Sequence, residues 1–104
     1  MEIKNSDQNG TRLIQIIGKL DTNTAQEADK TINQLIDDGN HKLKIDFSEL
    51  LYISSAGLRI MLSVSKKLKQ LSGNLTLCGM NETVKEVFEI SGFTMIFNIE
   101  DNCA

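Results

Sequence analysis

A chain of 104 residues has the length of one domain, and at that size folding removes roughly 65% of the extended chain's surface from water. Hydrophobic residues at 40% and charged residues at 24% exclude a disordered or low-complexity chain. A net charge of -3 with a pI near 5.0 and scattered Lys and Arg argue against nucleic-acid binding, which needs a concentrated basic face.

Residues 1–10 are polar from the second position and have no apolar signal-peptide core. No apolar run approaches the roughly 20 residues that span a bilayer. A soluble cytoplasmic domain with no membrane insertion is therefore expected. Met1 and Ile3 alternate with Glu2 and Lys4, Asn9-Gly10 breaks the pattern, and an apolar run over 13–17 follows. This predicts an opening antiparallel hairpin. After Gly18, Asp21-Thr22-Asn23-Thr24 offers capping oxygens to a helix start. Ala25, Ala28, Ile32, Leu35 and Ile36 then recur at helical spacing, and Gly39 suits the left-handed residue that closes a helix.

Leu43, Ile45 and Phe47 alternate with Lys42, Lys44 and Asp46, the period of a strand with one buried face. The longest helix is predicted from Leu58, Met61, Leu62, Ser65, Leu68 and Leu71, and it ends at Ser72-Gly73. Lys66, Lys67 and Lys69 lie near its end, where cations complement the helix dipole. Leu75 and Leu77 alternate with Thr76 and Cys78 as a further strand. Asn81 caps a third helix whose inner face is Val84, Val87 and Phe88, and Gly92 ends it. Met95, Phe97 and Ile99 mark a last strand. The order is β-β-α-β-α-β-α-β, an α/β fold with a mixed sheet of about five strands and helices packed mainly on one face. Cys78 reads as a small buried thiol and Cys103 as a free thiol in a polar tail, since two cysteines make neither a disulfide framework nor a metal-site spacing.

The segment richest in chemistry is Tyr52-Ile53-Ser54-Ser55-Ala56-Gly57-Leu58-Arg59, where a strand passes through a short connection into the long helix. A serine at a helix start satisfies free backbone N–H groups, and the positive end of the helix tolerates a phosphate. Ser54 and Ser55 both fit the capping role, worth about 1 kcal/mol. Gly57 in the first turn costs up to about 1 kcal/mol against Ala, so its presence suggests room left for an approaching backbone. An enzyme reading finds only one histidine, His41, in a turn after Gly39-Asn40. No nucleophile elbow, phosphate loop or dinucleotide fingerprint is present, and Asp37-Asp38 and Asp46 do not form a ligand set. No cofactor is expected.

The same eight residues resemble the signature of bacterial anti-sigma-factor antagonists, the STAS domain family. Gly18-Lys19-Leu20-Asp21 resembles the family's turn after its second strand, and Ser72-Gly73-Asn74-Leu75 with residues 84–92 resembles its last third. The resemblance covers the whole chain, residues 1–104. It implies a protein that is not an enzyme and that binds, in its unphosphorylated form, an anti-sigma factor with serine-kinase activity, releasing a sigma factor. Phosphorylation switches it off and a serine phosphatase restores it. By position in the motif the phosphoacceptor is Ser55, with Ser54 as the alternative, because Ser54 stands where many members carry Asp and Ala56 where a second serine follows. The partner surface implied by the resemblance comprises Asp21, Thr22, Ser54, Ser55, Ala56, Gly57 and Arg59. Other proteins with this domain are permanent subunits of signalling scaffolds or lipid-transport assemblies, so an unswitched adaptor is the alternative.

Overall fold

Asn9 and Gly10 both have positive φ, 54° and 90°, as a two-residue hairpin requires if its twist is to match that of its strands. In the computed structural model, which describes residues 1–103, they join β1 (Glu2–Gln8) to β2 (Thr11–Leu20) as an antiparallel pair, with Gln8 opposite Thr11. The helix α1 (Ala25–Asp37) then crosses over to β3 (Lys42–Asp46), which runs parallel to β2. β4 (Leu50–Ile53) leads into α2 (Ser55–Gln70), followed by β5 (Asn74–Cys78), α3 (Glu82–Ile90), one 3-10 turn (Phe93–Met95) and β6 (Asn98–Glu100).

The sheet order is β1-β2-β3-β5-β6, with β4 pairing β2 off that path. Five strands were expected and six are present. The additional strand is β4, which the sequence presents as part of the connection into α2. It follows β3 along the same neighbour: β3 pairs with residues 12–15 of β2, and β4 pairs with Gly18, Lys19 and Leu20, with a register shift between Gly18 and Lys19. Gly18, at φ 103°, sits at that shift and donates its N–H to the Glu49 carbonyl at 3.0 Å. Parallel pairing by short segments is hard to see in sequence because four residues carry too little periodicity to separate a strand from a loop.

Alternation along the strands buries Ile14, Ile16, Leu43, Ile45, Leu75 and Leu77 on one face. They join Ala28, Ile32 and Ile36 of α1, Leu58, Met61, Val64 and Leu68 of α2, and Val84 and Phe88 of α3 in a single cluster. The three helices thus pack on that face, while Gln15, Lys44 and Thr76 occupy the other. The lysines near the end of α2 do more than complement its dipole. Lys67 Nζ donates to Asn33 Oδ1 at 2.7 Å and to Asp37 Oδ1 at 3.1 Å, tying α2 to α1.

Two expectations are corrected. The predicted last strand from Met95 is only Asn98–Glu100. Gly92, at φ 73°, turns the chain into the 3-10 turn instead, and Met95 is 91% exposed. Cys103 is not free: it forms a disulfide with Cys78, the two Cα atoms lying 5.2 Å apart. A separation of 25 residues concealed the pairing, since nothing in the sequence shows that the tail after β6 returns to the end of β5.

Candidate functional site

The parallel strands β2 and β4 end side by side, with Leu20 opposite Ile53. The Ser54 N–H donates to the Leu20 carbonyl at 2.9 Å. This backbone bond brings together two segments that stand 33 residues apart: the turn before α1, which begins at Asp21, and the mouth of α2, which begins at Ser54. Both lie beyond the carboxyl ends of parallel strands, where open α/β sheets commonly build their sites.

Within the α2 mouth, Ser54 and Ser55 have different environments. Ser54 is the N-cap: its backbone is extended (φ -93°, ψ 173°), and its Oγ accepts from the Gly57 N–H at 3.2 Å. Its carbonyl accepts from the Leu58 N–H at 2.9 Å. Ser55 is the first helical residue and is exposed. Its hydroxyl has no hydrogen-bond partner among the described residues. The first turn of α2 contains no acidic residue, so the partial positive charge at this helix end is not neutralised by a neighbouring carboxylate.

Arg59, four residues further on and exposed, lies on the same side of the helix as Ser55 by periodicity. Its guanidinium makes no ion pair among the described residues. Ala56 is half-buried. Gly57, expected in a partner surface, is buried instead. A Cβ there would lie 2.8 Å from Ile53 Cγ1 and 2.9 Å from the Leu20 carbonyl oxygen. The close approach of a backbone is therefore real, and the backbone belongs to this chain. Gly57 permits α2 to seat on the ends of β2 and β4.

Across the junction, Asp21 organises its own turn. Its Oδ1 accepts from the Asn23 N–H at 2.9 Å and the Thr24 N–H at 3.1 Å. Its carbonyl accepts from the Ala25 N–H at 2.8 Å. Thr22 is exposed at the tip. Leu51 and Tyr52 form a surface that their sequence does not mark. They are 63% and 44% exposed between buried Leu50 and Ile53, and they place apolar area next to the serines. A four-residue apolar run gives no periodicity from which the outward pair could be chosen.

Other candidates fall elsewhere. The His41 carbonyl accepts from the Asn74 N–H at 2.9 Å at the amino end of β3, whereas the α2 mouth lies beyond the carboxyl ends of the neighbouring strands. Asp46 Oδ1 accepts from the Ser48 N–H at 2.8 Å, shaping the turn between β3 and β4. No helix among the described residues is long and apolar enough to cross a membrane.

Comparison with known proteins places this arrangement in context. The family model for the STAS domain matches residues 2–104. BtrV of Bordetella bronchiseptica, named as a candidate anti-sigma factor antagonist, is 40% identical over 85 residues, covering 82% of this chain and 73% of BtrV. A crystal structure of a candidate anti-sigma factor antagonist from Thermotoga maritima superposes with a TM-score of 0.91 at 19% identity, over 97% of this chain and 87% of that one. The Bacillus cell-fate determinant SpoIIAA in its phosphorylated form superposes with a TM-score of 0.73 at 20% identity, over 96% of this chain and 92% of that one. At those identities the two structures establish a shared fold.

Proposed function

The chain belongs to the STAS domain family, and from that premise we propose that it is a cytoplasmic anti-sigma-factor antagonist switched by phosphorylation of Ser55. In this reading the unmodified mouth of α2 binds an anti-sigma factor that is also a serine kinase, so that the sigma factor is released. Transfer of a phosphoryl group to the Ser55 hydroxyl ends that binding, and a serine phosphatase restores it. The ATP belongs to the partner, and this chain supplies the acceptor and the surface.

One observation carries the proposal: of two adjacent serines, Ser54 is used as the cap and Ser55 is left exposed with an unengaged hydroxyl. Phosphorylating Ser54 would load the phosphoryl group onto the oxygen that accepts from the Gly57 N–H at the start of a 16-residue helix. Modifying Ser55 leaves that cap in place. A phosphate at Ser55 adds about -1.5 to -2 charges at the positive end of α2, beside backbone N–H groups of the first turn and within a helical turn of Arg59. The folded domain accommodates it there. A partner surface packed over the same point would have to bury that charge without matching cations, which is costly. The charge thus discriminates against the complex while sparing the fold. Asp21 and Thr22 on the neighbouring strand end, with Ser54 and Arg59, make the polar part of the proposed surface, and Ala56, Leu51 and Tyr52 supply its apolar part.

Peptide mass spectrometry of the chain recovered from its own cells, with and without phosphatase, is expected to map a phosphate to Ser55. Binding to the cognate anti-sigma factor is expected to weaken at least about tenfold in Ser55→Asp, about 1.4 kcal/mol. A Ser55→Asp chain that binds as tightly as wild type would overturn the switch and favour a permanent adaptor.

A further inference from the structure

The Cys78–Cys103 pair stands apart from everything the proposed cycle uses. Cys78 lies in register with Asp46 of β3 and Glu100 of β6. By strand alternation it faces away from the helices, and it is absent from the core cluster. It is nevertheless 0% exposed, because residues 101–103 return toward it and Cys103 is bonded to it. Cys103 is half-buried, and its carbonyl accepts from Lys44 Nζ at 3.5 Å. Lys44 also pairs with Glu100 at 3.3 Å. At Gly79, a Cβ would lie 3.1 Å from both Asp46 Oδ1 and Cys103 Sγ and 3.2 Å from Ser48 Cβ. The tail, the β3–β4 turn and the end of β5 therefore meet in van der Waals contact.

We propose that Cys78–Cys103 is a reversible thiol–disulfide site whose redox state decides whether the C-terminal segment covers the helix-free face of β3 and β5. Three features favour a latch over a structural staple. β6 itself is held by its three paired residues and the Lys44–Glu100 ion pair, but residues 101–103 belong to no helix or strand and are tied down, besides the disulfide, by a 3.5 Å bond from Lys44 Nζ to the Cys103 carbonyl. The half-buried Cys103 Sγ offers an attacking thiolate a point of entry that fully buried Cys78 does not. Opening the bond takes no cysteine out of the hydrophobic cluster, of which neither is a member, and residues 101–103 lie beyond Ile99, which packs against it.

The reactant class is a dithiol, for which two glutathione molecules can stand in. One thiolate of the dithiol attacks Cys103 Sγ, the Cys78–Cys103 bond breaks, and Cys78 leaves as a thiolate that takes a proton. The second thiolate attacks the mixed disulfide, Cys103 is released and protonated, and the dithiol becomes its own disulfide. Two electrons and two protons pass to the protein, and oxidation reverses each step. Reduction uncovers Cys78, Lys44 and Asp46.

The test uses the full chain equilibrated in mixtures of reduced and oxidised glutathione, alkylated and weighed intact, with amide exchange read on the oxidised and reduced forms. The expected result is a reversible interconversion of the two forms, with amides of Gly79 and residues 98–100 exchanging about 100-fold faster after reduction and those of α1 and α2 unchanged. Cys103→Ser is expected to match the reduced chain under both conditions. If that variant does not fold, the reduced wild-type chain carries the same comparison. The proposal is overturned if the reduced chain fails to re-form the bond within one molecule under oxidised glutathione, or if exchange at residues 98–100 is the same in both forms.

Discussion

The mouths of α1 and α2 lie on neighbouring strand ends and are built from similar small polar residues, yet they are wired in opposite ways. At α1 the polar groups engage one another. Asp21 Oδ1 accepts two backbone N–H bonds, and the Thr24 hydroxyl donates to the Lys19 carbonyl at 2.8 Å. At α2 a single oxygen, Ser54 Oγ, does the capping, and the adjacent hydroxyl of Ser55 remains available. A helix start whose side chains are mutually engaged is a structural joint, and changing one group disturbs the others. A helix start that divides capping and exposure between two residues can be modified at the second without loss of the first. This division makes α2 the better carrier of a switch.

The largest expected stability effect tests the seat of α2. Gly57→Ala places a methyl group against Leu20 and Ile53, at an overpacking cost of about 1–3 kcal/mol, against which the higher helix propensity of Ala returns up to about 1 kcal/mol. A net loss in urea denaturation is expected, and a gain in stability would show that the close contact relaxes freely. Asp21→Ala removes the acceptor of two backbone N–H bonds at the α1 mouth and is expected to cost about 1–2 kcal/mol. An unchanged midpoint would break the description of that mouth as a structural joint. The smallest effects sharpen the contrast most. Ser54→Ala is expected to cost about 1 kcal/mol and to leave kinase labelling of the chain in place. Ser55→Ala is expected to change stability by less than about 0.5 kcal/mol and to abolish labelling. Phosphotransfer and denaturation measured on the same two variants read both outcomes, and the reverse assignment would transfer the acceptor role to Ser54.

The helix ends repeat the lesson on a smaller scale. Gly39 closes α1 at φ 104°, the position where only glycine is unstrained. At the end of α2 the left-handed residue is Ser72, at φ 59°, and the Gly73 N–H bonds to the Leu68 carbonyl at 2.7 Å. Gly73 is needed for a different reason: a Cβ there would collide with the His41 carbonyl. In the sequence the two glycines read alike, as helix stops, and only the tertiary contact distinguishes them.

The sequence alone determined the hairpin at Asn9-Gly10, the three amphipathic helices, the alternating strands β3 and β5, and the placement of two serines at the start of the longest helix. Those features are local: a turn conformation, a hydrophobic period or a cap involves residues only a few positions apart. The tertiary structure decided the features that depend on distant segments. It added β4 by pairing it with β2, moved Gly57 from the expected partner surface into a packed contact, turned Leu51 and Tyr52 outward, and joined Cys103 to Cys78. It also separated the roles of Ser54 and Ser55, because the hydrogen bond from Ser54 to Leu20 fixes where the helix begins and so which serine caps it. Periodicity and propensity record which face of an element is buried, but not which other element it meets.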